Sequence, residues 1–224
     1  MLEAQAARRV PISGLYALTP ELEDTRLLIA RVTAALDGGA TAVQYRNKTA
    51  RAALRLVQAH SLRALCADRG ATFIVNDDIE LALASAADGV HLGRDDGSLR
   101  AARSRLGDKV LIGASCYDSL DRAEAAIGAG ADYIAFGSFF ASRVKPDAVR
   151  AGISLLTAAK QRWSIPIVAI GGITPTNAAV LVAAGADAVA VISALFDAAN
   201  LDGVASAARA FSALFRSRDK GQAR

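Results

Sequence analysis

One phrase recurs four times in this chain: a helix-like stretch ends on Gly or another small residue, and an unbroken apolar segment follows within one to three residues. The copies are GGATAVQY from Gly38, SAADGVHL from Ser85, GAGADYIAF from Gly128 and AAGADAVAVI from Ala183. A small residue at such a point permits a left-handed helix exit. A strand without polar alternation leaves no face for water, so strands of this kind are parallel and covered by helices. Filling in between the four anchors predicts eight strands, near 14–19, 41–46, 72–77, 89–92, 110–115, 133–137, 165–171 and 188–193. Segments with apolar spacing near 3.6 residues follow them, such as Leu54, Val57, Leu62 and Leu65 after the second strand, and the last helix is expected over 201–215. Eight such units without a second composition regime point to an α/β fold of one domain, a (β/α)8 TIM barrel, rather than an open doubly wound sheet. The expected layout is an N-terminal tail over 1–13, the barrel over 14–215 and a basic C-terminal tail over 216–224.

Composition agrees with that architecture and removes several function classes. Apolar residues make up 53% of the chain but aromatics only 5%, so the core must be built from Ala, Val, Leu and Ile, which suits closely packed helices on buried strands. The formal net charge of +4 comes from the ends, where Arg8, Arg9, Arg216, Arg218, Lys220 and Arg224 outnumber Glu3 and Asp219. The body is balanced, and no nucleic-acid face is expected. Cys66 and Cys116 form no CxxC motif and have no paired His nearby, which speaks against a disulfide framework or zinc site and fits a reducing cytoplasm. The start, MLEAQAARRVP, lacks the apolar run of a signal peptide. The segment 165–186 is free of charge, but Pro166, Gly171, Gly172, Pro175 and Asn177 break it into strand, turn and helix, so no membrane partner is expected.

Catalytic groups in a barrel of this type come from the C-terminal ends of the strands and the loops that follow. The second strand ends in Gln44, Arg46 and Lys48, the third in Asn76, Asp77 and Asp78, and the fourth in Gly93, Arg94, Asp95 and Asp96. The fifth ends in Ser115 and Tyr117, the seventh in Gly171 and Gly172, and the eighth in Ile192 and Ser193. The sixth leads from Gly137 into a loop, 138–147, that carries Ser142, Arg143, Val144 and Lys145. Cations, hydroxyls and a Gly-Gly turn suit phosphate. Backbone N–H groups at Gly171 and Gly172, before a helix opened by Thr174 as N-cap and Pro175 in its first turn, would form an anion cradle that Ile192 and Ser193 complete. A purely structural turn is the rival reading.

Asp77 and Asp96 fall on neighbouring strands at similar height, where two hard-oxygen ligands can share a Mg²⁺ that keeps several waters and binds a diphosphate. Carboxylates after strands also serve as simple helix caps, the role expected of Asp78 and Asp95. His91 lies inside a strand and reads as a satisfied structural residue, His60 lies on a helix, and Cys116 has no activating cation near it in sequence. Arg143 and Lys145 precede Pro146 in what reads as a flap able to bring positive charge over an anion, with a solvated loop as the alternative.

The phrases YALT (16–19), VQYRNK (43–48), VNDDIELALASAADGVHLGRDD (75–96), IGASCYDS (112–119), GADYIAFGSFF (130–140), VAIGGIT (168–174) and GADAVAVISALF (185–196) resemble those of the thiamine phosphate synthase family, in the same order. The resemblance implies a Mg²⁺-dependent condensation of 4-amino-2-methyl-5-hydroxymethylpyrimidine diphosphate with 4-methyl-5-(2-phosphoethyl)thiazole, giving thiamine phosphate and diphosphate through a pyrimidine cation. By position it implies that Gln44, Arg46, Lys48 and Asn76 bind the pyrimidine diphosphate and that Asp77 and Asp96 hold Mg²⁺. Ser115 and Lys145 would contact the diphosphate, which makes Lys145, Ser115 and Arg46 the catalytic candidates. Ser142, Arg143, Val144, Gly172, Ile192 and Ser193 would position the thiazole phosphate.

This sequence departs from the family pattern at Asn47, where Glu is common, at Tyr45, where Leu is common, and at Val144, which cannot donate the hydrogen bond of a Thr. Tyr117 stands where His is frequent; a His there goes with the thiazole tautomerase paralogue, so its absence favours the synthase. The alternatives are that tautomerase, a Schiff-base phosphosugar aldolase using Lys48 or Lys145, and a non-catalytic phosphate-binding barrel. A homo-oligomer is compatible with any of them.

Overall fold

The computed structural model describes residues 12–141 and 149–222. Eight parallel strands close into a barrel in sequence order: β1 (Gly14–Leu18), β2 (Ala40–Tyr45), β3 (Thr72–Asn76), β4 (Gly89–Leu92), β5 (Leu111–Tyr117), β6 (Tyr133–Phe136), β7 (Ile167–Ile170) and β8 (Ala188–Val191). Outside them run α1 (Thr25–Asp37), α2 (Ala52–Asp68), α3 (Ile79–Ala84), α4 (Leu99–Leu106), α5 (Leu120–Gly128), α6 (Ser154–Arg162), α7 (Ala178–Ala183), a four-residue α8 (Ser193–Phe196) and α9 (Leu201–Gln222). All eight strands lie where the sequence predicts them. The last helix continues to Gln222 rather than ending at 215, and α8 had no counterpart in the sequence reading. Among the described residues no helix is long and apolar enough to cross a membrane.

The helix exits follow from the repeated phrase. Gly39, Gly130 and Gly185 take positive φ, and Ala86 occupies the same place at φ 50°. Several helix starts are set by side-chain caps: Asp24 accepts from the backbone N–H groups of Arg26 and Leu27, Asp78 from Leu81, Ser98 from Ala101 and Ser119 from Arg122. Asp78 is therefore the cap the sequence suggests. Asp95 is not; Ser98 takes that role before α4, and Asp95 lies exposed.

Strand alternation sorts the core into two layers. Leu15 and Ala17 of β1, Val43 and Tyr45 of β2, Phe73 and Val75 of β3 and Val90 and Leu92 of β4 face the helices. The intervening positions face inward, where Tyr16, Leu18, Ala42, Ile74, Leu111, Tyr133, Ala135, Val168, Ala188 and Ala190 fill the barrel. Many of these inward residues are Ala, so the interior is not filled to the rim. Alternation also accounts for two departures from the family pattern. Tyr45 points into the outer layer and its hydroxyl donates to Gln58 Oε1 at 2.8 Å, while the Asn47 amide reaches Leu22 O and Gln58 Oε1, both at 3.4 Å.

Candidate active site at the C-terminal rim

A cavity of about 410 Å³ opens at the C-terminal ends of the strands. The inward parity that packs Tyr16 and Ala42 deeper in the barrel carries Gln44, Arg46, Asn76 and Ser115 to its wall, where Gly172, Ile192 and Ser193 join them. Lys48 and Asp77 line an adjoining hollow that shares Asn76 with the main cavity. Asp96 closes the group by a hydrogen bond shared with Asp77. Ten of the fourteen candidates read from sequence thus meet at one rim. The other four, Ser142, Arg143, Val144 and Lys145, lie outside the described residues, as does most of the 138–147 flap.

The charged groups here form one interacting cluster. Lys48 Nζ sits 2.9 Å from Asp77 Oδ2, and Gly93 N–H donates to Asp96 Oδ2 at 2.7 Å. Burial pushes the Asp77 carboxyl up, but its hydrogen bonds with Lys48 and Asp96 and the Lys48 charge outweigh that, and its pKa falls below the usual value. Asp96 moves the other way: burial raises it and the hydrogen bond to Asp77 adds to the rise. Two carboxyls that force one another apart in this way are a pair that a divalent cation would relieve. Asp77 itself has φ 63°, a conformation uncommon for a non-glycine residue, which aims its side chain from the β3 end. Among the described residues no cluster of three or more His, Cys, Asp or Glu side chains is placed to hold a metal. A two-carboxylate set fits Mg²⁺, which is commonly bound by one or two carboxylates together with substrate phosphates.

Arg46 is held in place by Glu21, with Nη1 2.6 Å from Glu21 Oε1, and its backbone N–H donates to Thr19 Oγ1 at 2.9 Å. The guanidinium groups of Arg94 and Arg122 each lie 5.3 Å from the centroid of the Tyr117 ring. The Gly-Gly turn differs from its sequence reading. Helix α7 begins at Ala178, so Thr174 is not its N-cap and Pro175 is not in its first turn. Residues 174–177 form a separate turn, in which Asn177 Oδ1 accepts from Thr174 N–H at 2.8 Å and Asn177 Nδ2 donates to Gly172 O at 3.1 Å. Gly171 and Gly172 have φ 104° and 64°, and a Cβ on Gly172 would stand 2.2 Å from Ala141 O. Glycine is required here because the backbone of Phe140 and Ala141 runs against the turn and leaves no room for a side chain.

Two cavity residues lie inside the motif phrases without a site role there. His91 and Tyr16 both line the cavity, and strand parity is the signal that finds them: His91 shares the inward parity of β4 with Gly89, and Tyr16 that of β1 with Leu18. His91 is buried and hydrogen-bonded at both ring nitrogens, as a satisfied residue should be, and burial pushes its pKa down to about 4. Cys116 is buried, and its thiol is pushed up to about 12, in keeping with an unactivated sulfur.

A closed parallel barrel whose C-terminal rim opens into a largely apolar cavity with a few polar groups, Gln44, Arg46, Asn76 and Ser115, in its wall defines a (β/α)8-barrel enzyme. The sequence model of a family described as thiamine monophosphate synthase matches residues 15–195. A thiamine-phosphate synthase of Thiobacillus denitrificans is 57% identical over 188 residues, covering 84% of this chain and 89% of the relative. One from Chromobacterium violaceum is 54% identical over 207 residues, 92% of this chain and 98% of the relative. The solved structure of a thiamine phosphate pyrophosphorylase from Pyrococcus furiosus is 36% identical, superposes with a TM-score of 0.79 and covers 91% of this chain and 96% of that one. The chain belongs to the thiamine monophosphate synthase family. That membership makes it a transferase, and it favours none of the tautomerase, aldolase or binding-only alternatives.

Proposed function

We propose that the rim cavity joins 4-amino-2-methyl-5-hydroxymethylpyrimidine diphosphate to 4-methyl-5-(2-phosphoethyl)thiazole, releasing diphosphate and thiamine phosphate. The observation that carries this reading is the Lys48–Asp77–Asp96 cluster set against a cavity walled by Gln44, Arg46, Asn76 and Ser115. In the reaction the bond between the pyrimidine methylene carbon and the diphosphate oxygen breaks, with its electron pair leaving on that oxygen. The thiazole nitrogen lone pair then forms the new C–N bond. No proton need be removed from either carbon, which agrees with a site whose one cavity histidine, among the described residues, is buried and neutral.

The chain's task is to favour the charge that grows on the leaving oxygen. Arg46, Lys48, Asn76 and Ser115 supply hydrogen-bond donors for the diphosphate, and Gln44 orients the pyrimidine. Asp77 and Asp96 would hold Mg²⁺, which when bound supplies a positive charge opposite the diphosphate oxygens. By its motif position Lys145 adds a cation to the departing group. Gly172, Ile192 and Ser193, with Ser142, Arg143 and Val144, hold the thiazole phosphate and keep its ring in line with the reacting carbon. The test is to mix the pure chain with both substrates and Mg²⁺ and look for thiamine phosphate by mass. Its formation in step with diphosphate supports the reading, and free hydroxymethylpyrimidine alone would show a hydrolase instead.

A further inference from the structure

Five side chains from five strands form one hydrogen-bonded chain across the barrel, and motif reading assigned only its two ends. Gln44 Nε2 donates to Tyr16 Oη at 2.8 Å, Tyr16 Oη lies 2.9 Å from Tyr133 Oη, Tyr133 Oη lies 3.1 Å from His91 Nδ1, and His91 Nε2 lies 2.9 Å from Ser115 Oγ. All but Ser115 are buried. The path exists because residue 113 is glycine: a Cβ there would stand 2.0 Å from the Tyr133 ring, which needs that space to cross the interior.

Counting protons fixes the direction of the chain. The Gln44 amide nitrogen can only donate, so the Tyr16 oxygen receives a proton and must place its own. Tyr133 Oη is its partner, the Tyr133 proton then goes to His91 Nδ1, and a neutral His91 carries its proton on Nε2, facing Ser115. Run the other way, Tyr16 would receive from both neighbours and its own proton would have no acceptor among the described residues. A doubly protonated His91 would force that same reversed order. A buried donor without a partner is unfavourable, so the first order holds.

We propose that His91 is a positioning residue: held as its Nε2–H tautomer by Tyr133, Tyr16 and Gln44, it donates to Ser115 and so turns the Ser115 hydroxyl proton outward, toward an anionic oxygen in the cavity. The assignment of that oxygen to the diphosphate rests on the function proposed above; the tautomer does not. Without His91 the hydroxyl can turn back into the protein, and the bond it makes to the leaving group is lost for part of the time. In this role His91 acts through Ser115.

The tautomer can be read from long-range ¹H–¹⁵N correlation spectra of the ¹⁵N-labelled wild-type chain without substrates. The sequence has only two histidines, and a His60→Gln variant on the exposed face of α2 assigns the pair. The expected result is one neutral Nε2–H form for His91, becoming a mixture of both forms in Tyr133→Phe. An Nδ1–H form in the wild type would place the Ser115 proton on His91 and overturn the proposal. Kinetics give an independent arm. His91→Leu should lower kcat about tenfold with KM changed by less than about twofold, and His91→Gln, whose amide N–H can stand in for Nε2–H, should recover most of it. In a Ser115→Ala background, His91→Leu should add no further loss. Losses that add in full, or that fall on KM, would show that His91 only fills space. If the chain made no thiamine phosphate at all, the proposed function would fail while the tautomer result stood.

Discussion

The two ends of the barrel use the same residue types to opposite effect. At the N-terminal end, Asp88, Asp132 and Asp187 each stand just before an even-numbered strand and tie it to the strand before. Their carboxylates accept from Phe73, Ile112 and Ile167 N–H, each at 2.8 Å. Each is also paired with a cation from the helix that leads into the earlier strand of the pair: Asp88 with Arg63 of α2 at 3.1 Å, Asp132 with Arg103 of α4, and Asp187 with Lys160 of α6 at 2.7 Å. Thr41 fills the equivalent place in the repeated phrase, as the second residue of β2, where its hydroxyl donates to Ser13 O and Leu15 O. The fourfold phrase in the sequence is therefore the mark of this fastening, repeated on every second strand. At the C-terminal end, Asp77 and Asp96 crowd each other beside Lys48, and Arg46 lines an open cavity. Charges at one end fasten strands to one another, and those at the other border the cavity, where the proposed function gives them a ligand.

The largest effect that would separate the two ends is metal removal. On the proposed function, chelation should lower turnover by about a hundredfold or more, and added Mg²⁺ should restore it, because Lys48 and Arg46 alone do not offset the charge of the Asp77–Asp96 pair and the diphosphate. Asp96→Asn should raise the Mg²⁺ concentration needed for half-maximal rate. Undiminished turnover in chelator would place the metal outside the mechanism.

Next in size is Gly172→Val, which puts a branched side chain at φ 64° and against Ala141 O. Its expected result is a KM for the thiazole phosphate raised about tenfold or more, with KM for the pyrimidine diphosphate within about twofold. Equal changes in both would show that the turn serves the other substrate or merely supports the rim.

At the opposite end, Asp88→Ala should destabilise the chain by about 1–2 kcal/mol, through loss of a charged acceptor for Phe73 N–H, while kcat of the folded enzyme stays unchanged. Arg63 and Asp88 are both partly exposed, so the ion pair itself adds little. Urea unfolding and initial rates on the same sample check this.

The smallest effect is expected at the cysteines. Burial pushes Cys66 and Cys116 up to about 12, so neither is ionised near pH 8. Iodoacetamide should leave the native mass unchanged and add two groups only after denaturation.

The barrel was legible in the sequence because its strands are covered on both faces and are therefore apolar throughout, while small residues sit at the helix exits. The rim was legible because polar residues in an apolar strand stand out at its end, as Gln44, Asn76 and Ser115 do. Tyr16, Tyr133 and His91 were not, since single polar side chains within apolar strands look like core. Only closure of the barrel brings β1, β4 and β6 within hydrogen-bond reach of one another. The start of α7 was misplaced for a related reason. Thr174 and Pro175 have the chemistry of a helix start, but Asn177 bonds back to Gly172 and Thr174, which holds those residues in a turn instead.

The contrast between the two ends is tested most directly by Asp77→Asn and Asp187→Asn, each measured for turnover and for Tm. Asn is at ease at the positive φ of residue 77, so Asp77→Asn changes charge with little effect on the backbone. It should lose turnover about a hundredfold with Tm within about 2 °C of the parent. Asp187→Asn, which replaces the charged acceptor of Ile167 N–H by a weaker neutral one and also gives up the Lys160 pair, should lower Tm by about 2–4 °C and leave turnover within about twofold. Unchanged turnover in Asp77→Asn, or a comparable loss of turnover in Asp187→Asn, would contradict the division of the barrel into a fastened end and a working one.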